Sequence, residues 1–135
     1  MQHKVIQGNL EHLIEIDSAG THAYHVGEKS DARSRAKAHS KGIDMEYVRA
    51  RKISINDYDE FDYILAMDHE NLELINYYAP EDHTADIRLF LDFAGMHEQT
   101  VPDPYYGGEA GFEHVFQLVD AGCDALIEHI HSSRV

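Results

Sequence analysis

The order of hydropathy patterns along these 135 residues predicts an α/β fold, a mostly parallel sheet flanked by helices. Three observations carry that expectation. Short β-branched and aromatic runs at Ile14–Ile16, Tyr63–Ala66 and Ile87–Phe90 alternate with segments of helical spacing, so successive strands are joined by right-handed crossovers. No stretch reads as a linker, an internal repeat or a low-complexity tract. A hydrophobic fraction of 43% in a chain of this length is enough for a single core, so residues 1–135 are expected to form one domain.

Each element has a local reason. Val5 to Leu13 places apolar side chains at Val5, Ile6, Leu10 and Leu13, a helical pattern with Gly8-Asn9 near its end. Ile14 and Ile16 then start a short strand leading into Ser18-Ala19-Gly20. Ser30 or Asp31 caps the next helix, which runs through an alanine-rich stretch to Lys41 and stops at Gly42. Ser54-x-x-Asp57 starts a short helical turn, and Tyr63 to Ala66 is a strand. Asp68 caps a helix that reaches Tyr78 before Pro80. Ile87 to Phe90 is another strand. The apolar spacing of Phe112, Val115, Phe116, Val119, Cys123, Leu126, Ile127 and Ile130 makes Phe112 to His131 a long amphipathic helix.

Charge and composition exclude several functions. A formal net charge of −14 argues against nucleic acid and anionic membranes as partners, since both repel an acidic surface. No apolar run is long enough to cross a bilayer, and the N-terminus lacks the regions of a signal peptide. A single cysteine permits no internal disulfide, so a cytoplasmic location is expected. Of the eleven histidines, the closest pairs, His22/His25 and His129/His131, lack the i, i+4 spacing of helical metal ligands. Neither a metal nor a cofactor is expected.

Val101-Pro102-Asp103-Pro104-Tyr105-Tyr106-Gly107-Gly108 is the segment richest in chemistry. Each proline fixes its own φ near −65° and restricts the residue before it, so Asp103 sits on stiff backbone. Positioned so, between aromatic walls that disfavour its carboxylate, Asp103 is suited to general acid catalysis. The same residues also suit an ordinary turn ahead of a helix. A nucleophile to accompany it is harder to find. Cys123 falls on the apolar stripe of the last helix, where burial raises a thiol's pKa, and position 129 is histidine where a Cys-x5-Arg motif needs arginine. No Gly-x-Ser-x-Gly elbow, Walker-type loop or Cys-x-x-Cys pair replaces it.

Several further segments, in order, are Ile14-Glu15-Ile16-Asp17-Ser18-Ala19-Gly20-Thr21, Tyr24-His25-Val26-Gly27, Phe61-Asp62-Tyr63-Ile64-Leu65-Ala66-Met67-Asp68 with Asn71-Leu72, and Arg88-Leu89-Phe90-Leu91-Asp92-Phe93. With the Asp103 segment they resemble the low molecular weight protein tyrosine phosphatase family from about His3 to the end. The resemblance implies phosphotyrosine phosphomonoester hydrolysis, with Asp103 as general acid and then base. It implies that Tyr24, Tyr105 and Tyr106 line the phosphotyrosine ring, and that Ser18 braces the phosphate loop. Tyr47 stands where some relatives carry a loop-bracing histidine.

Family members open with a strand running into a Cys-x5-Arg loop, whereas here Met1-Gln2 lead directly into His3-Lys4-Val5-Ile6-Gln7, which resembles the later part of the following helix. The resemblance therefore implies an N-terminally incomplete domain, inactive as it stands. In the family that strand lies between the Ile14 and Tyr63 strands. Unpaired buried backbone groups cost about 1 to 3 kcal/mol each, so the gap is expected to close by re-pairing, by exchange of elements within a homodimer, or to leave the chain loose. The implied partner is a phosphotyrosine protein, such as a bacterial tyrosine kinase. The competing reading is a non-catalytic, phosphatase-like protein that binds a partner or self-associates.

Overall fold

The computed structural model describes residues 1–21, 27–29, 32–49, 51–95, 100–102 and 108–133, with backbone alone at 93, 94, 108, 109 and 133. Its helices are α1 (Gln2–Gln7), α2 (Ala32–Ser40), α3 (Asp57–Glu60), α4 (His69–Tyr78) and α5 (Gly108–Ser133), and its strands are β1 (Tyr63–Ala66) and β2 (Asp86–Leu89). The strands pair in parallel, Tyr63 opposite Asp86 and Ala66 opposite Leu89, with α4 between them in sequence. This is the α/β arrangement expected from the alternating pattern.

Alternation along the strands builds two cores. Ile64 and Ala66 of β1, with Ile87 and Leu89 of β2, pack with Tyr58, Leu72 and Ile75. Leu65 points the other way and packs with Phe90, Leu91, Cys123 and Leu126, along with Met1 and Val101. Successive side chains of a strand face opposite sides, so one short sheet is covered by α4 on one face and α5 on the other. The Tyr58 hydroxyl, fully buried, donates to the Ile75 carbonyl at 2.7 Å. Tyr63 meets His129 of α5 edge to face at 5.9 Å.

The helix ends follow local chemistry. Asp68 caps α4 by accepting from the Asn71 N–H at 2.7 Å, and the helix stops at Tyr78, two residues before Pro80. Gly42 adopts φ 78°, its N–H donates to His39 and that of Ile43 donates to Ala38, so α2 closes in a Schellman motif. Ser30 and Asp31, expected to cap its start, lie outside the described residues. The same closure ends α1 at Gly8-Asn9, where the sequence puts its end, although apolar spacing runs on to Leu13. Asn9 takes φ 56°, its N–H donates to Ile6 and that of Leu10 donates to Val5, so the helix stops at Gln7 and residues up to Leu13 form turns.

Two expectations need correction. Ile14 and Ile16 are half-buried between exposed Glu15 and Asp17, as a strand's alternation requires, yet the segment forms no strand. Among the described residues it has no ladder with β1, and only Gly20 pairs, in parallel with Lys52. Pairing of Ile14–Ile16 with β1 is therefore not seen among the described residues. The second correction concerns β2, which ends at Leu89, because Phe90–Ala94 turn into a 3-10 helix closed by Gly95 at φ 74°.

Helix α2 is fastened to α5 by charge. Lys41 and Lys37 hold Glu113 at 3.0 and 3.1 Å and keep its carboxyl down at about 2. Arg33 lies 4.9 Å over the Phe112 ring. On α1, Lys4 bridges Asp120 and Asp124 of α5 at 2.9 and 2.7 Å.

Gly122 lies within α5 against the buried Phe90 ring, where an added Cβ would stand 2.5 Å from a ring carbon. Gly122→Ala should destabilise the chain by about 1 to 3 kcal/mol through overpacking, although alanine is favoured over glycine in a helix by about 1 kcal/mol. Urea unfolding reads the sign, and a stabilised variant would show that the helix can shift away at no cost.

Candidate active site

The C-terminal ends of parallel strands are where open α/β sheets bind ligands. Here β1 runs out through Met67 into Asp68, the cap of α4. The Val101 N–H donates to the Met67 carbonyl at 2.8 Å, which ties the chain two residues before Asp103 to the end of β1. Asn71, its own N–H capped by Asp68, extends its side-chain amide to the Thr21 hydroxyl at 3.4 Å. Three segments distant in sequence thus meet at one edge: the loop after Asp17, the start of α4, and the approach to Asp103.

The loop after Asp17 is held from below by Arg51. Its Nε donates to Asp17 at 3.0 Å, while Nη1 and Nη2 grip both oxygens of Asp57 at 2.9 and 3.2 Å. The Arg51 carbonyl also accepts from the Gly20 N–H at 2.7 Å, and the Gly20 carbonyl accepts from Ile53 at 2.9 Å. A planar guanidinium offers a fork that a lysine cannot reproduce, and here it serves two carboxylates at once. Burial pushes the Asp57 carboxyl up, but the Arg51 guanidinium and the Ser54 N–H together outweigh it and hold the group below the usual carboxylate range. The Asp57 hydrogen bonds hold Arg51 correspondingly high.

Of the residues expected to form the site, Ser18 is exposed, its N–H donating to the Asp17 carboxylate at 2.8 Å. Tyr24, Asp103, Tyr105 and Tyr106 lie outside the described residues. Tyr47 is exposed. Arg51 was missed, since its carboxylate partners lie 34 and 6 residues away and nothing in Arg49-Ala50-Arg51-Lys52 singles it out. Cys123 is buried at 3% exposure, and that burial pushes its thiol up. Among the described residues no group of three metal-ligating side chains converges.

Residues 1–135 match the family model of the low molecular weight phosphotyrosine protein phosphatases. This chain belongs to that family. YfkJ, a low molecular weight protein-tyrosine-phosphatase of Bacillus subtilis, is 36% identical over 93% of this chain and 80% of its own. Its crystal structure superposes with a TM-score of 0.89, covering 99% of this chain and 84% of that one at 34% identity. The human low molecular weight phosphotyrosine protein phosphatase is 35% identical over 94% of this chain and 81% of its own. A protein tyrosine phosphatase from Entamoeba histolytica superposes with a TM-score of 0.89 at 33% identity, over 99% of this chain and 86% of that one. Among the described residues no helix of this family member is long and apolar enough to cross a membrane.

Arg51→Gln should leave Asp57 poorly paired and cost about 1 to 3 kcal/mol, read by urea unfolding near neutral pH. The Asp57 carboxyl is depressed in the fold, so its contribution is present above its unfolded pKa and is lost as pH falls through the folded value. Acid destabilisation should therefore be shallower in Arg51→Gln than in the wild type. Equal slopes would mean that the pair contributes nothing.

Proposed function

We propose that this chain is built for phosphotyrosine phosphomonoester hydrolysis, with Asp103 as the general acid and base. The observation that supports the reading is the Val101 to Met67 hydrogen bond, which ties Val101, two residues before Asp103 in sequence, to the end of β1 near Asn71 and its Thr21 partner. In the first half-reaction Asp103 gives its proton to the leaving tyrosine oxygen; in the second it takes one from the water that releases phosphate. Tyr24, Tyr105 and Tyr106 are assigned to the walls around the substrate ring, and Ser18 to bracing the phosphate loop. Family membership favours hydrolysis over a binding-only role.

The thiol that attacks phosphorus is a separate matter. Cys123 is the only cysteine of these 135 residues, and its buried thiol, held high, offers little thiolate. The polypeptide of these residues is therefore proposed to lack turnover by itself. The substrate class is a tyrosine-phosphorylated protein, with a tyrosine kinase as the proposed example. A homodimer formed by strand or domain swapping is the proposed form of self-association.

Phenyl phosphate hydrolysis tests the reading. The polypeptide should show no turnover above the uncatalysed rate, and turnover that survives Cys123→Ser but falls with Asp103→Asn would overturn the need for a thiol. Grafting a strand and Cys-x5-Arg loop ahead of Met1 should create activity. In that form Asp103→Asn should lower kcat by about 10² to 10⁴ for phenyl phosphate and much less for esters of acidic phenols. A uniform loss across leaving groups would remove Asp103 from the acid's role.

A further inference from the structure

Tyr77 and Tyr78, the last two residues of α4, are 76% and 59% exposed, and their rings meet edge to face with centroids 5.0 Å apart. Neither hydroxyl makes a hydrogen bond among the described residues. Tyr58 shows the alternative, fully buried with its hydroxyl bound to the Ile75 carbonyl. Leu72 and Ile75 are the residues that α4 turns toward the core. Tyr77, two positions beyond Ile75 and so about 200° around the helix, faces away from that core.

Carboxylates in this part of the chain lack cations. From Ile53 to Ile87 there are ten acidic residues and neither lysine nor arginine. Arg51 and Arg88 pair with Asp57 and Asp86, and Asp68 caps α4. The other seven are exposed, and among the described residues their side chains form no ion pair or hydrogen bond. Glu70, Glu73 and Tyr77 stand at i, i+3 and i+7, which sets two like charges side by side on the tyrosine's face. Such a pair weakens a helix. No basic residue lies in the last turn of α4, and Glu81 and Asp82 follow its end, where a helix presents its negative pole. A cation would ease each of these arrangements, and this stretch supplies neither lysine nor arginine to do so.

We propose that the exposed face and end of α4, with Glu70, Glu73, Tyr77, Tyr78 and Glu81, dock an arginine-rich segment of a partner protein. A guanidinium lies flat over an aromatic ring while its N–H groups bind carboxylates, and Glu73 and Tyr77, four residues apart on one helix, offer both to the same side chain. Lysine meets the carboxylates but stacks less well on a ring, so the tyrosines select arginine. A second copy of this chain fits less well, because it brings the same net charge of −14. Docking here involves no catalytic step. Six residues separate Tyr77 from Asn71, about 9 Å along the helix axis, so the docking face is distinct from the candidate active edge.

The test uses fluorescence anisotropy with the full polypeptide and three labelled peptides of equal length. One carries arginines spaced by glycine and serine, one has lysine at those positions, and one has glutamine. The arginine peptide should bind on the order of tenfold more tightly than the lysine peptide, and the glutamine peptide more weakly than either. Tyr77→Ser/Tyr78→Ser should remove the preference for arginine and leave lysine-peptide affinity within about twofold. The arginine-to-lysine ratio of the wild type is a readout that does not require the variant to fold. Equal affinity for those two peptides would overturn the proposal, because a diffuse acidic surface makes no such distinction. Amide shifts in an NMR titration with the arginine peptide should cluster between Glu70 and Asp82, and shifts confined to other segments would also overturn it. So would self-association of the wild type that the tyrosine replacements abolish while no arginine preference is found, an outcome that assigns the face to a second copy.

Discussion

Two parallel strands of four residues bury too little to be stable by themselves, so their side chains must be covered on both faces. Everything else in the molecule is arranged around that requirement. Ile64 and Ala66 send α4 and Tyr58 to one side, while Leu65 sends α5 to the other. The chain leaves β1 as the cap of α4 and leaves β2 as a 3-10 turn whose Phe90 fills the space that Gly122 opens in α5. Because both strands end at the same level, the segments leaving them share one rigid reference. The chain before Asp103 and the Thr21 loop are tied to that reference by hydrogen bonds through Met67 and Asn71.

Electrostatics fasten what the short sheet does not reach. Helix α1 is joined to α5 through Lys4, α2 to α5 through Glu113, and the Asp17 loop to α3 through Arg51. Exposed pairs of this kind are individually weak, about 0 to 1 kcal/mol, and gain chiefly by fixing which elements are neighbours. Arg51 differs because Asp57 is buried, so loss of the arginine leaves a carboxylate without its charged partner in a poorly solvated place.

The sequence is most legible where the determinants are local. Tyr63–Ala66, the Asp68 cap, the stop at Tyr78 and the glycine end of α2 were each readable, because every residue involved lies within a few positions of the feature it controls. Gly8-Asn9 likewise marked the end of α1, where the backbone turns left-handed at Asn9 although apolar spacing continues past it. The Ile14–Ile16 pattern shows the converse. Alternation describes which faces are buried, and Ile14 and Ile16 obey it, but a strand needs a partner that alternation does not encode. The same nonlocality hid Arg51, whose two carboxylates belong to other segments. Of the candidate site, the order of motifs made the family legible, and Ser18 lies exposed on the segment after Ile16.

The burial of Cys123 has a practical side. A protein with one thiol, packed among Phe90, Leu91 and Leu126 beneath α1, carries its own probe of opening. Alkylating reagents can modify that sulfur only when α5 separates from the sheet or α1 lifts away, so the labelling rate compared with that of the unfolded chain measures the free energy of that opening. The same protection keeps the molecule from cross-linking through oxidation while it is folded. A disulfide-linked pair on a non-reducing gel would therefore record that molecules had opened, rather than that folded ones had met.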